Sequence, residues 1–252
     1  MSHFKYKHYS CYYEEYGSGN PTVFLHGNTA SSKMFELLLP LYQNRIKVIL
    51  LDFLGNGRSD RVEYFPPNIW YDEALQTIAL IDYLGYEKVS LVGTSGGAWV
   101  AINAALECPS KIQCVVADSF DGRTLHEGFG EGLKKERAFA INDTQASQFY
   151  EWCQGPDWEE VVKLDTAALI ECEKSKLPLF HKDIGTLEIP TLLMGSKEDQ
   201  MVRNNLYQEY QGLQTLIKNA SIHMFEHGNH PAIFSNAEEA ANIIVNFVIQ
   251  SK

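Results

Sequence analysis

No run of the sequence reaches the roughly 18 consecutive apolar residues that a membrane-spanning helix needs, so a soluble chain with no membrane insertion is expected. The first ten residues interleave His3, Lys5, Lys7 and His8 with aromatics. No apolar stretch follows them, which argues against a secretory signal. Positive charge is scarce: 21 Lys and Arg stand against 32 Asp and Glu, a formal net charge of -11. The field of such a chain repels phosphates and anionic lipid, which excludes nucleic acid and charged membrane surfaces as partners. Cysteines number five, Cys11, Cys108, Cys114, Cys153 and Cys172, with neither a CxxC nor a CxxxC spacing. Scattered thiols fit a reducing cytoplasm and read as buried or surface residues, so no metal is expected. The glycine-rich stretches lack the Lys of a phosphate-binding loop, and Gly93-Thr94-Ser95-Gly96-Gly97 does not fit G-x-G-x-x-G; no organic cofactor is called for. Internal repeats and low-complexity linkers are also missing.

What is present is a 252-residue chain that is 45% apolar, enough for one full-sized core. Residues Phe4 to Tyr16 alternate and are rich in Tyr, then break at Gly17-Ser18-Gly19-Asn20, the pattern of a β-hairpin and turn. Thr22 to Leu25 is a short buried strand running into His26-Gly27-Asn28. Met34, Leu37, Leu38 and Leu41 then recur at helical spacing, and Lys47 to Leu51 returns to a strand. The rhythm continues with a helix over about Ile69 to Leu84, a strand Val89 to Val92, a helix over about Gly97 to Leu106 and a strand Ile112 to Ala117. Continuous apolar strands alternating with helices predict a mostly parallel sheet of about eight strands, covered on both faces. Between Ser119 and Gly185 only helical stretches occur, carrying Phe129, Leu133, Phe139, Phe149, Trp152 and Trp158. The alternation resumes with strand Pro190 to Met194, a helix over about Arg203 to Ile217, strand Ser221 to Phe225 and a final helix from about Ala237 to Ile249. The expected organisation is a core of residues 1–118 and 186–252, interrupted by a helical insertion over 119–185.

Gly93-Thr94-Ser95-Gly96-Gly97 follows a strand directly and opens a helix, the context of a nucleophile elbow. Ser95 is the candidate nucleophile, because a strained turn with small neighbours lifts its hydroxyl out at the carboxyl edge of the sheet. A serine nucleophile needs a base. Of eight histidines, only His227 and His230 lie in a loop after the last strand, where a parallel sheet gathers its ligands. His230 is favoured, since Gly228 and Asn229 let the chain turn before it. The carboxylate that would hold the imidazole is assigned to Asp199, after strand Leu192 to Met194, with Glu198, Asp118 and Asp121 as alternatives. The backbone N–H groups of Asn28 and Gly96 are the candidate oxyanion donors. His26 reads as a buried structural residue.

These motifs resemble the α/β-hydrolase superfamily over essentially the whole chain. The His26-Gly27 turn, the Asp52 to Asp60 loop, the Gly93 to Gly97 elbow, Asp199 and Gly228-Asn229-His230 occur in that family's order. The resemblance implies that the 119–185 insertion is a lid over the active site. It also implies an arginine after Asp52 where this chain has Leu54, a departure that bears on the salt bridge beneath the site. Haloalkane dehalogenases and epoxide hydrolases of the same family carry an aspartate at the elbow, and Ser95 argues against both chemistries.

Hydrolysis of a carboxylic ester or related small-molecule acyl substrate, through an acyl-serine intermediate, is the expected function. Thioester or amide hydrolysis, carbon–carbon bond hydrolysis and cofactor-free perhydrolysis would use the same three residues. A non-catalytic ligand-binding member of the fold is the alternative of a different class. The lid aromatics fit an apolar substrate moiety or simple packing of the lid.

Overall fold

A computed structural model describes residues 2–251. The strands are β1 (Ser2–Tyr6), β2 (Tyr9–Tyr16), β3 (Pro21–Leu25), β4 (Lys47–Leu51), β5 (Val89–Thr94), β6 (Ile112–Asp118), β7 (Thr191–Ser196) and β8 (Ala220–Phe225). They form one sheet in the order β1-β2-β4-β3-β5-β6-β7-β8. Only the β1–β2 and β2–β4 pairs are antiparallel; all others are parallel. The predicted mostly parallel, eight-stranded sheet is therefore the architecture found.

Both faces of the sheet are buried, which is why the central strands read as unbroken apolar runs. Val23, Leu25, Ile49, Leu51, Leu91, Val115 and Leu193 point into one layer of core. Phe24, Val48, Leu50, Val92, Val116, Leu192 and Met194 point into the other. Helices α3 (Ile69–Leu84) and α4 (Gly96–Glu107) cover the first face, and α10 (Ala237–Gln250) covers the second. Every residue of α4 from Gly96 to Leu106 is buried, as befits a helix that is apolar all round. On α10 the stripe Ala240, Ala241, Ile244, Val245 and Val248 faces the sheet. Burying each of its larger aliphatic side chains stabilises the fold by about 1.5–3 kcal/mol.

The helix predicted around Met34 to Leu41 is two single turns, α1 (Lys33–Glu36) and α2 (Leu39–Tyr42). Pro40 explains the break: it has no N–H to donate back and sits at the first turn of α2. Between β6 and β7 the chain forms α5 (Phe129–Asn142), α6 (Thr144–Gln154) and α7 (Trp158–Lys174), without a strand. These pack together through Ala140, Tyr150 and Val162, with Tyr150 stacked on Trp158 at 5.7 Å. The end of α6 docks on the segment after β3. There Ser31 Oγ donates to the Cys153 carbonyl (2.9 Å) and Gln154 Nε2 to that of Ala30 (2.7 Å). Between α7 and β8 lie β7 and, after it, α8 (Leu206–Leu216); α9 (Ala232–Ser235) precedes α10. No helix among the described residues is long and apolar enough to cross a membrane.

Candidate functional site

Ser95 sits at the junction of β5 and α4 with φ 54° and ψ -123°, a conformation that an L-residue adopts only under constraint. Two constraints are visible. The Ser95 N–H donates to the Asp118 carbonyl at 2.8 Å, prolonging the β5–β6 ladder by one residue. The turn is also so tight that a Cβ on Gly93 would lie 1.9 Å from the Gly97 carbonyl oxygen. Gly27 approaches from β3: a Cβ there would be 3.0 Å from Ser95 Cβ and 3.5 Å from its Oγ. Gly93 and Gly97 are thus places where backbone meets backbone, and Gly27 and Gly96 places where a side chain closes in.

Beyond β8, His230 Nδ1 lies 2.7 Å from Asp199 Oδ2, on the loop after β7. The Asp199 side chain is inaccessible and that of His230 is 12% exposed. A carboxylate in this position accepts from Nδ1 and leaves Nε2 free to take a proton. The other three carboxylates named from the sequence are engaged elsewhere. Glu198 is exposed and pairs with His227 (2.9 Å), each shifting the other toward its charged form. Asp121 accepts from His126 Nδ1 (2.6 Å) and the Arg203 N–H (2.8 Å). Asp118 lies beneath the elbow and accepts from Thr94 Oγ1 (2.7 Å), Ser119 Oγ (3.1 Å) and the Ile233 N–H (3.2 Å).

The His26-Gly27-Asn28 segment leaves β3 beside the elbow. His26 is buried, its ring donating from Nδ1 to the Gly27 carbonyl (2.9 Å) and accepting at Nε2 from the Phe53 N–H (3.3 Å). Because a backbone N–H can only donate, Nε2 is the bare nitrogen, and burial pushes the imidazole pKa down. His26 is therefore a neutral brace, as expected. The Asn28 side chain accepts from Trp70 Nε1 at 2.9 Å. Trp70 was not legible as a site residue: 42 positions separate the two and nothing local links them. Below the site, Asp52 is held by the N–H groups of Ser32 (2.7 Å) and Arg58 (2.8 Å), with Arg58 Nε 3.4 Å away. Arg58 supplies the ion pair that Leu54 does not.

Ser95, Asn28 and His230 line a single cavity of about 800 Å³. Its walls are mostly apolar, with Trp99 and Phe120 from the core and Phe129, Leu133 and Phe149 from α5 and α6. The four buried thiols are Cys11, Cys114, Cys153 and Cys172, and burial raises the pKa of each. None of them lines the cavity. Among the described residues no three His, Cys, Asp or Glu side chains converge as metal ligands.

A sheet of this order, with a serine on a strained turn after β5 and a histidine after β8, defines an α/β-hydrolase fold. The chain belongs to the alpha/beta hydrolase family, whose model matches residues 22–243. It is 26% identical to a non-heme haloperoxidase of Rhodococcus erythropolis, covering 94% of this chain and 95% of that one. It is 24% identical to a 2-hydroxymuconate semialdehyde hydrolase of a Pseudomonas species, covering 93% and 89%. Among solved structures, it is similar to a meta-cleavage product hydrolase from Pseudomonas fluorescens, with a TM-score of 0.81 and 23% identity over 100% of this chain and 98% of that one.

Proposed function

We propose that the protein is a serine hydrolase acting on a carboxylic ester or related acyl compound. Ser95 Oγ attacks the acyl carbonyl while His230 Nε2 takes its proton, and Asp199 holds the imidazole and stabilises its charged form. The N–H groups of Asn28 and Gly96 receive the oxyanion of the tetrahedral intermediate. His230 then returns the proton to the leaving alcohol, and water repeats the cycle on the acyl-serine. Helices α5 to α7 act as a lid that keeps bulk water from the acyl group. The observation that carries this reading is the 2.7 Å contact of Asp199 Oδ2 with Nδ1 of His230, a residue that lines the same cavity as Ser95.

A second reading, hydrolysis of a carbon–carbon bond on the same residues, is favoured by the similarity to a 2-hydroxymuconate semialdehyde hydrolase. Fluorophosphonate labelling of wild type and Ser95→Ala tests the nucleophile: label on wild type only is the expected result, and equal labelling overturns it. A panel of p-nitrophenyl esters run beside a vinylogous 1,5-diketone then separates the two reactions.

A further inference from the structure

A second imidazole faces the same cavity as the proposed nucleophile. His126 lies on the segment between β6 and α5 and lines the cavity together with Ser95. Its Nδ1 is 2.6 Å from Asp121 Oδ2, and its backbone N–H donates to the same oxygen at 3.1 Å. Asp121 is 2% exposed, and its other oxygen accepts from the Arg203 N–H. Held this way, the ring carries its proton on Nδ1 and turns the opposite nitrogen, Nε2, away from Asp121. Nε2 has no hydrogen-bond partner among the described residues, and the side chain is 29% exposed. Phe129 packs edge-on against the ring at 5.6 Å, and Leu133, Met201 and Val202 line the same cavity. The imidazole thus lines a mostly apolar cavity with one nitrogen bonded to Asp121 and the other without a bond to the described residues.

The surrounding charges decide what it would bind. Asp121 on its own segment and Glu209 on α8 are matched by Arg203, after β7, and Arg123, before α5: Arg203 reaches both carboxylates and Arg123 reaches Glu209. Protonated His126 leaves these five side chains with a net charge of +1, which the carboxylate of Glu173 on α7 offsets in sum. Glu173 on α7 adds to the pull on the proton while bonding the Gly130 N–H at 3.0 Å. On the other side of the lid, Arg137 is hemmed in by Glu136 (2.9 Å) and Asp165 (3.8 Å), so it offers no comparable excess. The hydrogen bond to Asp121 raises the His126 pKa, which keeps Nε2–H a donor at higher pH than for a free histidine.

On the reading of Ser95 as nucleophile, we infer that His126 anchors a carboxylate carried by the substrate, so that the cavity selects acidic acyl compounds whose scissile carbonyl lies at Ser95. The test uses the Ser95→Ala protein, which cannot turn substrate over, and the quenching of tryptophan fluorescence expected from Trp99 in the cavity wall. Monomethyl adipate is titrated against dimethyl adipate. A charge-assisted hydrogen bond in an apolar wall predicts about tenfold tighter binding of the half-ester at mildly acid pH. That preference declines as pH rises and the imidazolium is lost, and in Ser95→Ala/His126→Gln the ratio of affinities falls to about one. Equal binding of the two esters, a preference that does not change with pH, or one that survives His126→Gln would each overturn the inference. The pH series needs no change at His126 and so stands if the glutamine variant fails to fold. Residual ester hydrolysis by Ser95→Ala would count against the nucleophile instead, leaving the binding ratio to be judged separately.

Discussion

Trp70 Nε1 donates to Asn28 Oδ1 across 2.9 Å, and the bond lies directly against Gly96. A Cβ on Gly96 would stand 2.3 Å from that oxygen and 2.8 Å from that nitrogen. The two residues proposed to hold the oxyanion are therefore fixed to each other through an indole on α3. Trp70 is itself fixed, stacked on Trp99 at 4.3 Å, and Trp99 Nε1 donates to the Gly122 carbonyl at 2.9 Å. Trp70→Phe keeps an aromatic side chain but removes the donor, freeing the Asn28 side chain and loosening the backbone segment whose N–H is proposed to hold the oxyanion. Losing an oxyanion donor outright costs about 10²–10³ in kcat, so loosening one is expected to cost about tenfold in kcat with KM little changed. Steady-state kinetics on a p-nitrophenyl ester checks this. A purely structural role would lower the melting temperature without weakening a trifluoromethyl ketone more than a ground-state ketone.

Asp199→Asn is expected to lower kcat by about four powers of ten, because an amide in place of the carboxylate can donate to Nδ1 and hold the wrong tautomer. Glu198→Gln is expected to stay within a few-fold of wild type. Glu198 is exposed and bonded to His227, so the change removes only a surface pair. The two variants, purified and assayed side by side, decide between adjacent residues. Loss of activity in Glu198→Gln alone would move the assignment by one position.

That adjacency also marks where the sequence stops being informative. β3 and β5 to β7 are legible because burial on both faces leaves no polar alternation to confuse the period, and α3 is legible from Ile69 to Leu84 because Gly85, at φ 71°, ends it. The tight turn at Ser95 is legible because its glycines are a purely local demand. Which carboxylate meets His230 is not a local matter: Asp118 ends β6, while Asp121, Glu198 and Asp199 follow sheet strands, and only the path of the chain beyond each strand separates them. The pairing of His126 with Asp121, five residues apart, lies on a segment without periodicity and leaves no pattern to read. The leucine spacing around Pro40 reads as one helix, and only the structure shows α1 and α2 parted there.

Gly93→Ala is expected to destabilise the protein by more than about 3 kcal/mol or to prevent folding. Its Cβ would overlap the Gly97 carbonyl, and neither backbone can retreat without breaking the β5–α4 junction. Gly132→Ala makes the opposite case. It lies within α5 with open space around its Cβ, so the change is expected to stabilise by about 0.5–1 kcal/mol. Urea unfolding of both variants provides the comparison, and similar effects at the two positions would contradict the packing argument.

Asp118 sets a pH dependence on stability distinct from that of activity. Burial raises its pKa from 3.8 to about 6 in the folded protein, against the pull of its three donors and of nearby His230. The folded state therefore binds this proton more tightly than the unfolded chain does. The stability contributed by Asp118 is fully present below about pH 4 and is lost as pH rises through about 6. A shift of this size corresponds to a change on the order of 3 kcal/mol between the two limits. Asp118→Asn has no proton to lose. Its unequal fit to the donors Thr94, Ser119 and Ile233 shifts the stability difference by a constant and leaves its pH dependence untouched. Unfolding free energies of wild type and Asp118→Asn, measured by urea titration at intervals from about pH 4 to 8, are expected to diverge in the variant's favour across this window and run parallel above it. A difference that stays constant from acid to neutral pH would mean that Asp118 is ionised throughout, with its three hydrogen bonds outweighing its burial.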